Sequence, residues 1–290
     1  MHKHSISQQI FNSLNIIFMI ILSIGFIYPF WQTLVLSFAT TKQAMELGLK
    51  LFPSPVSLDS YQKIFSTDLI AIGYFNTIIR TGVGTLLTLI VTFAASYALS
   101  RKELAGRDVI TIFILFTMFF DGGLIATYLN IRDLHLMGSR WALILPMITS
   151  AWNLVITRNF ISTIPVELEE SALLEGAGPI KIMMHIMIPL SKPILAVIAL
   201  WTAVSHWNSW FDAMLYANER SMMVLQLVLR NLLIEENQSM ISNLLMKNQT
   251  VMPETVKAAT IIMSIGPIVL MYPFMQRYFI KGILIGSLKG

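Results

Sequence analysis

Six apolar stretches alternate with polar connections along this chain, covering approximately residues 16–38, 72–99, 109–129, 141–160, 190–211 and 258–278. Each is near the length of about 20 apolar residues that a helix needs to cross the hydrocarbon core of a bilayer. The runs are continuous, with none of the in/out alternation of a barrel strand, so the pattern predicts helices. Small residues (Gly82, Gly84, Ala94, Ala95, Ser96, Ala98) recur in the second stretch, where helices could approach closely. The first stretch is longer than the 7–15 apolar residues of a signal-peptide core and reads as a retained span. No internal repeat is visible, so the pattern does not suggest an inverted-repeat transporter.

Composition strengthens this picture. Of 290 residues, 55% are hydrophobic and 12% charged, and the mean hydropathy is +0.68. A soluble domain carries roughly 25% charged residues. An apolar surplus of this size needs lipid as solvent. The chain has no cysteine, which excludes disulfides, thiolate metal sites and cysteine nucleophiles. The net charge is +4. Its basic residues sit between apolar stretches, which suits membrane flanks rather than nucleic acid.

Charge also suggests an orientation. Arg101, Lys102 and Arg107 share one short connection, and Arg277, Lys281 and Lys289 share the tail. The positive-inside bias then places both termini and the second and fourth connections in the cytoplasm, although Arg132 and Arg140 run against it.

The fourth connection, residues 162–188, is patterned. Pro165 suits a first helical position, with Ser162 and Thr163 nearby as possible caps. Glu167, Glu169 and Glu170 follow where carboxylates favour a helix N-terminus. Leu168, Ala172 and Leu173 give the short helix an apolar side, and Gly176, Gly178 and Pro179 stop it. A second amphipathic piece, 180–188, leads to Pro189 and Pro193. The bland reading is a solvated connector. Against it, the short helix carries apolar residues that it cannot bury alone and so calls for a partner surface.

The string Glu170-Ser171-Ala172, then Gly176, then Ile186 and Ile188-Pro189, resembles the EAA motif of ABC-importer permeases, with Ser171 and Ile188 replacing the usual Ala and Leu. Glu175-Gly176-Ala177 resembles the Asp-Gly-Ala of the sugar-permease branch. The runs 121–128, 207–212, 272–282 and 285–290 are similar to the branch that takes up oligosaccharides or polysaccharide fragments. Ala126 stands where many members carry the proline that would kink the third stretch. The resemblance implies a single permease domain over 1–290 of the type I importer kind: an all-α integral membrane protein with six transmembrane helices and a cytoplasmic coupling helix, in the cell membrane. It implies that Glu170, Ser171, Ala172, Glu175, Gly176, Ala177, Ile186 and Pro189 couple the chain to an ATPase dimer. The other implied partners are a second permease subunit, an extracellular solute-binding protein, an oligosaccharide and membrane lipid, with no nucleic acid. ATP and Mg would belong to the partner ATPase, because no Gly-Lys-Ser/Thr phosphate loop occurs here.

Other polar residues in or beside the spans are candidates for a substrate path. Asp121, beside Gly122 and Gly123, fits either a helix break lining the path or an interfacial position. Arg80 fits snorkelling to the outer surface, or pairing with an acid such as Asp121. Trp201, His206, Trp207, Asn208, Trp210 and Asp212 form a cluster of the kind that binds sugars, or an interfacial aromatic belt. Trp201 and Trp210 read as belt. Trp207 and Asn208, with Asp121, Tyr128 and Asp212, read as the path. His2 and His4 lack further ligands and predict no metal. A stand-alone secondary transporter or channel would need more buried ion ligands than Asp121 and Arg80. A membrane enzyme would need paired acids or a metal constellation.

Overall fold

The computed structural model describes residues 6–46, 51–66, 68–217, 219–234 and 252–287, and among them there are helices and no strand. The helices are α1 (Ile6–Ser37), α2 (Thr41–Met45), α3 (Asp59–Phe65), α4 (Asp68–Ser100), α5 (Arg107–Phe119), α6 (Gly123–Asp133), α7 (Trp141–Ile144), α8 (Ala151–Ile161), α9 (Glu167–Leu174), α10 (Pro179–Ile182), α11 (Ile188–Leu190), α12 (Lys192–Asn208), α13 (Phe211–Tyr216), α14 (Leu225–Ile234) and α15 (Pro253–Ser287).

All six apolar stretches are helical, but only three are continuous at spanning length: Ser7–Ser37, Asp68–Ser100 and Pro253–Pro273. The third stretch is not one continuous helix. It breaks between α5 and α6, which meet at 116°. The turn needs no proline: Gly123 adopts φ +77°, and the Asp121 carboxylate accepts a hydrogen bond from the Gly123 amide at 2.8 Å. The fourth stretch is also broken. Pro146 lies in the 3₁₀ turn after α7, and Ser150 is extended and caps α8 through the Asn153 amide at 3.3 Å. The 11 residues of α8 rise about 16 Å, well short of a bilayer core. At the start of the fifth stretch, the preceding segment Pro179–Leu190 bends by 78° into α12, with Pro193 in the first turn of α12.

The chain divides into two compact units, 1–68 with 229–266 and 69–228 with 267–290. In the first, α1 leaves a long series of apolar side chains exposed, including Phe11, Phe18, Ile24 and Phe26, as a lipid-facing helix can. In its last turns, the Trp31 indole donates to the Leu51 carbonyl at 2.9 Å, and Ser37 and Tyr61 share a hydrogen bond at 2.8 Å.

The second unit is organised around α4. That helix buries Gly73, Thr77, Gly84, Thr88, Thr92 and Ser96, small or hydroxylated residues suited to close packing in lipid, together with the polar Asn76 and Arg80. Near its Asp68 end, Asn76 donates to the carbonyls of Ser221 (2.8 Å) and Met223 (3.0 Å) and accepts from Arg140 (3.0 Å). The Leu225 amide donates to Thr77 Oγ1 at 2.9 Å. One apolar cluster centres on Ile131, Leu143, Ala213, Tyr216 and Val224. Another joins Phe93, Ile161, Ala172, Ile182 and Met187, and this second cluster seats the patterned connection at 162–188.

Candidate functional site

The patterned connection folds as a short helix with two distinct sides. α9 opens at Glu167, two residues later than Pro165 suggested. Ser162 and Thr163 do not cap it, because their hydroxyls donate back to the carbonyls of Arg158 (3.0 Å) and Phe160 (2.7 Å). Val166 instead accepts the Glu169 and Glu170 amides. Glu169 and Ala172, three residues apart, form the buried side. Leu173 and Leu174, at 54% and 91% exposure, stand on the other, together with Glu170.

The helix ends in a Schellman motif. Ala177 N–H donates to the Ala172 carbonyl at 2.9 Å and Gly176 N–H to Leu173 at 3.0 Å, with Gly176 at φ +82°. This is the physical content of the Glu175-Gly176-Ala177 trio: cap, left-handed residue, and a small apolar residue packed back on Ala172. The chain then re-enters helix at Pro179, passes through a π-helical turn at Met183–Met187, and reaches Ile188–Leu190.

Of the eight residues assigned to coupling, Ala172, Ala177 and Ile186 pack into the cluster around Phe93. Glu170, Ser171, Glu175, Gly176 and Pro189 are exposed. Beside them stand Leu173, Leu174, Ile180 and Met184, each more than half exposed. Exposed apolar side chains ringed by acids form a surface fitted to a protein partner. The sequence reading missed the ion pair of Glu169 with Arg101, whose guanidinium also lies 4.3 Å over the Tyr97 ring. The available signal was the i, i+3 spacing of Glu169 and Ala172, which puts that one acid on the buried side.

The second polar centre lies further along α4. Arg80 neither snorkels nor pairs with Asp121: it is 2% exposed and ion-paired with Asp212. Its donors also reach the Ser209 carbonyl (3.2 Å), His206 Nδ1 (3.4 Å) and Met147 Sδ (3.1 Å). Asp212 accepts in addition from Ser209 Oγ (2.8 Å) and the Ala213 amide (2.9 Å). An arginine this deep in an apolar span is retained only with such partners. Asp121 is exposed and bonded to its own turn.

Among the other residues read as path, Asn208 is exposed at the end of α12, and Trp207 is 7% exposed, edge-on to Tyr74 at 6.3 Å. Tyr128 packs on Tyr216 at 6.1 Å. Burial raises the Tyr216 hydroxyl above its ordinary pKa, and the Asp212 carboxylate and Tyr128 add to the rise. Trp201 is exposed and Trp210 is partly buried against the cluster around Tyr216. Among the described residues, no group of three His, Asp or Glu could hold a metal; His2 and His4 lie outside those residues.

Span-length apolar helices define an integral membrane protein, and its elbow leaves acidic and apolar side chains exposed. No protein-family model matches the chain. It is 37% identical over 284 residues to the polygalacturonan/rhamnogalacturonan transport system permease protein YtcP of Bacillus subtilis, covering 98% of this chain and 99% of that one. It is 24% identical over 295 residues to the arabinooligosaccharides transport system permease protein AraQ of the same organism, covering 100% of each. It also matches the crystal structure of a bacterial ABC transporter involved in the import of the acidic polysaccharide alginate, with TM-score 0.91 and 32% identity over 96% of this chain and 100% of that one. The chain belongs to the permease family of carbohydrate ABC importers, as a multi-pass membrane subunit.

Proposed function

We propose that this permease pairs with a second, different permease chain and imports oligosaccharides or polysaccharide fragments, with uronate-containing fragments the favoured class. The cargo class follows the names carried by its relatives, polygalacturonan and alginate among them. An extracellular solute-binding protein delivers the cargo, and a cytoplasmic dimer of ATPase subunits, holding ATP and Mg, drives the cycle. Both termini lie in the cytoplasm, and residues 212–257 meet the binding protein; of that loop, 218 and 235–251 lie outside the described residues. Exposed Asp121 and Asn208 are proposed as wall groups of the path, while Trp207, Tyr128 and Asp212 hold that wall in shape through their packing and hydrogen bonds.

The observation that carries this reading is the two-sided elbow. α9 is anchored on one side by Glu169 and Ala172 and shows Glu170, Leu173 and Leu174 on the other. An eight-residue helix is marginal by itself, so its apolar outer side implies a partner. ATPase closure would push on this elbow and swing the attached spans between inward- and outward-facing states.

The test is Gly176→Asp. Nothing lies within 4 Å of a Cβ at this position, so the chain itself does not clash with the new side chain. The φ of +82° adds strain of about 1–2 kcal/mol, and the carboxylate meets the docked partner. The variant is expected to insert and assemble with its partner permease while uptake in whole cells is lost. Gly176→Ala, which carries the strain without the charge, retains more uptake. Normal uptake by Gly176→Asp would remove the elbow from the coupling role.

A further inference from the structure

Glu169 and Glu170 are adjacent in sequence, yet the fold gives them opposite tasks. Glu170 is exposed and has no ion-pair partner among the described residues. Glu169 is 7% exposed and takes both terminal guanidinium nitrogens of Arg101. Arg101 immediately follows the last residue of α4, lies over the Tyr97 ring one turn earlier, and has its Nε buried without a partner. Phe93, a further turn back, packs in the same cluster as Ala172.

We infer that Arg101 and Glu169 form a rigid strut that welds the coupling helix to the end of α4, so that force applied to the elbow is delivered to that span. This rests on the coupling reading above and assigns both residues as positioning residues that do not touch the partner. Three features favour force transmission over simple adhesion. The bond is bidentate, and a planar fork on a carboxylate fixes angle as well as distance. The guanidinium is clamped on its face by an aromatic ring of the span itself. The covalent path from α4 to α9 runs through the breaks at residues 120–122 and 145–150, where a push would be absorbed by bending, and the packing of Phe93 with Ala172 lacks the fixed angle of the ion pair. The strut bypasses those breaks.

This chain has no cysteine, so introduced cysteines are its only labelling sites, and the partner subunits are used free of reactive cysteines. Spin labels at Glu167 and Ile90, both exposed, report the separation of α9 and α4 in the complete importer, before and after adding MgATP with vanadate. With the native pair, the distance distribution should stay narrow and unchanged by nucleotide. Glu169→Gln or Arg101→Lys should broaden it and make it shift with nucleotide, while the ATPase still co-purifies. Reversing the pair, Arg101→Glu with Glu169→Arg, should restore part of the invariance, since it returns the ion pair without the Tyr97 clamp, and a merely structural loss would not allow even that. A native distance that shifts with nucleotide, or a Glu169→Gln distance as fixed as the native one, would overturn the strut. Loss of ATPase co-purification in Glu169→Gln would also overturn it, by making Glu169 a docking residue. If no ATPase co-purifies even with the native chain, the coupling reading itself fails, and the two failures are thereby distinguished.

Discussion

Asp212→Ala is expected to cost the folded permease about 3–5 kcal/mol, because it leaves a guanidinium buried without its counter-charge. The Arg80 side chain is 2% exposed and that of Asp212 19%, so water cannot take over the lost role. The Ser209 carbonyl and His206 Nδ1 remain as acceptors, but neither carries charge. Replacing both partners should be much milder. Arg80→Met with Asp212→Leu removes both desolvation penalties, and in other proteins such exchanges are often neutral. The measurement is the thermal midpoint of detergent-purified protein for the two single variants and the double. A single variant as stable as the native chain would mean that the pair is hydrated. A double variant as damaged as the singles would mean that the hydrogen bonds to Ser209 and His206 matter more than charge balance.

How much of this was legible in the sequence differs from place to place, for physical reasons. Apolar length reports that a segment prefers lipid, and it located all six stretches. It does not report whether the helix is continuous. The third stretch breaks because Gly123 can adopt a positive φ and Asp121 can bond the amide that the break frees, and a hydropathy sum weighs neither. The fold of the elbow was legible because its chemistry is local: acids in the first turn, glycine at the left-handed stop, proline at the restart. The Arg80–Asp212 pair was not, because its residues are 132 apart in sequence and nothing local singles out Asp212 among the acids within reach. Arg101 was read as a topogenic charge. That role and its bond to Glu169 are compatible, and only the fold brings the second into view.

The sequence also grouped Gly82 with Gly84 as sites of close helix approach, and the structure separates them. A Cβ at Gly84 would overlap the His206 imidazole of α12, whereas nothing lies within 4 Å of one at Gly82. His206 is not free to yield. Arg80 Nε donates to its Nδ1, so the ring proton sits on Nε2, the nitrogen that faces Gly84 and has no partner of its own. Gly84→Ala is therefore expected to destabilise by about 1–3 kcal/mol, the usual cost of overpacking. Gly82→Ala should be neutral, or stabilising by up to about 1 kcal/mol from helix propensity. Thermal midpoints of the two variants read the contrast directly, and His206→Ala placed in the Gly84→Ala background should recover part of the loss by clearing the space. Equal midpoints for Gly82→Ala and Gly84→Ala would show that α4 and α12 are not in contact there. The hold of Arg80 on His206 would then no longer explain why a glycine is needed opposite.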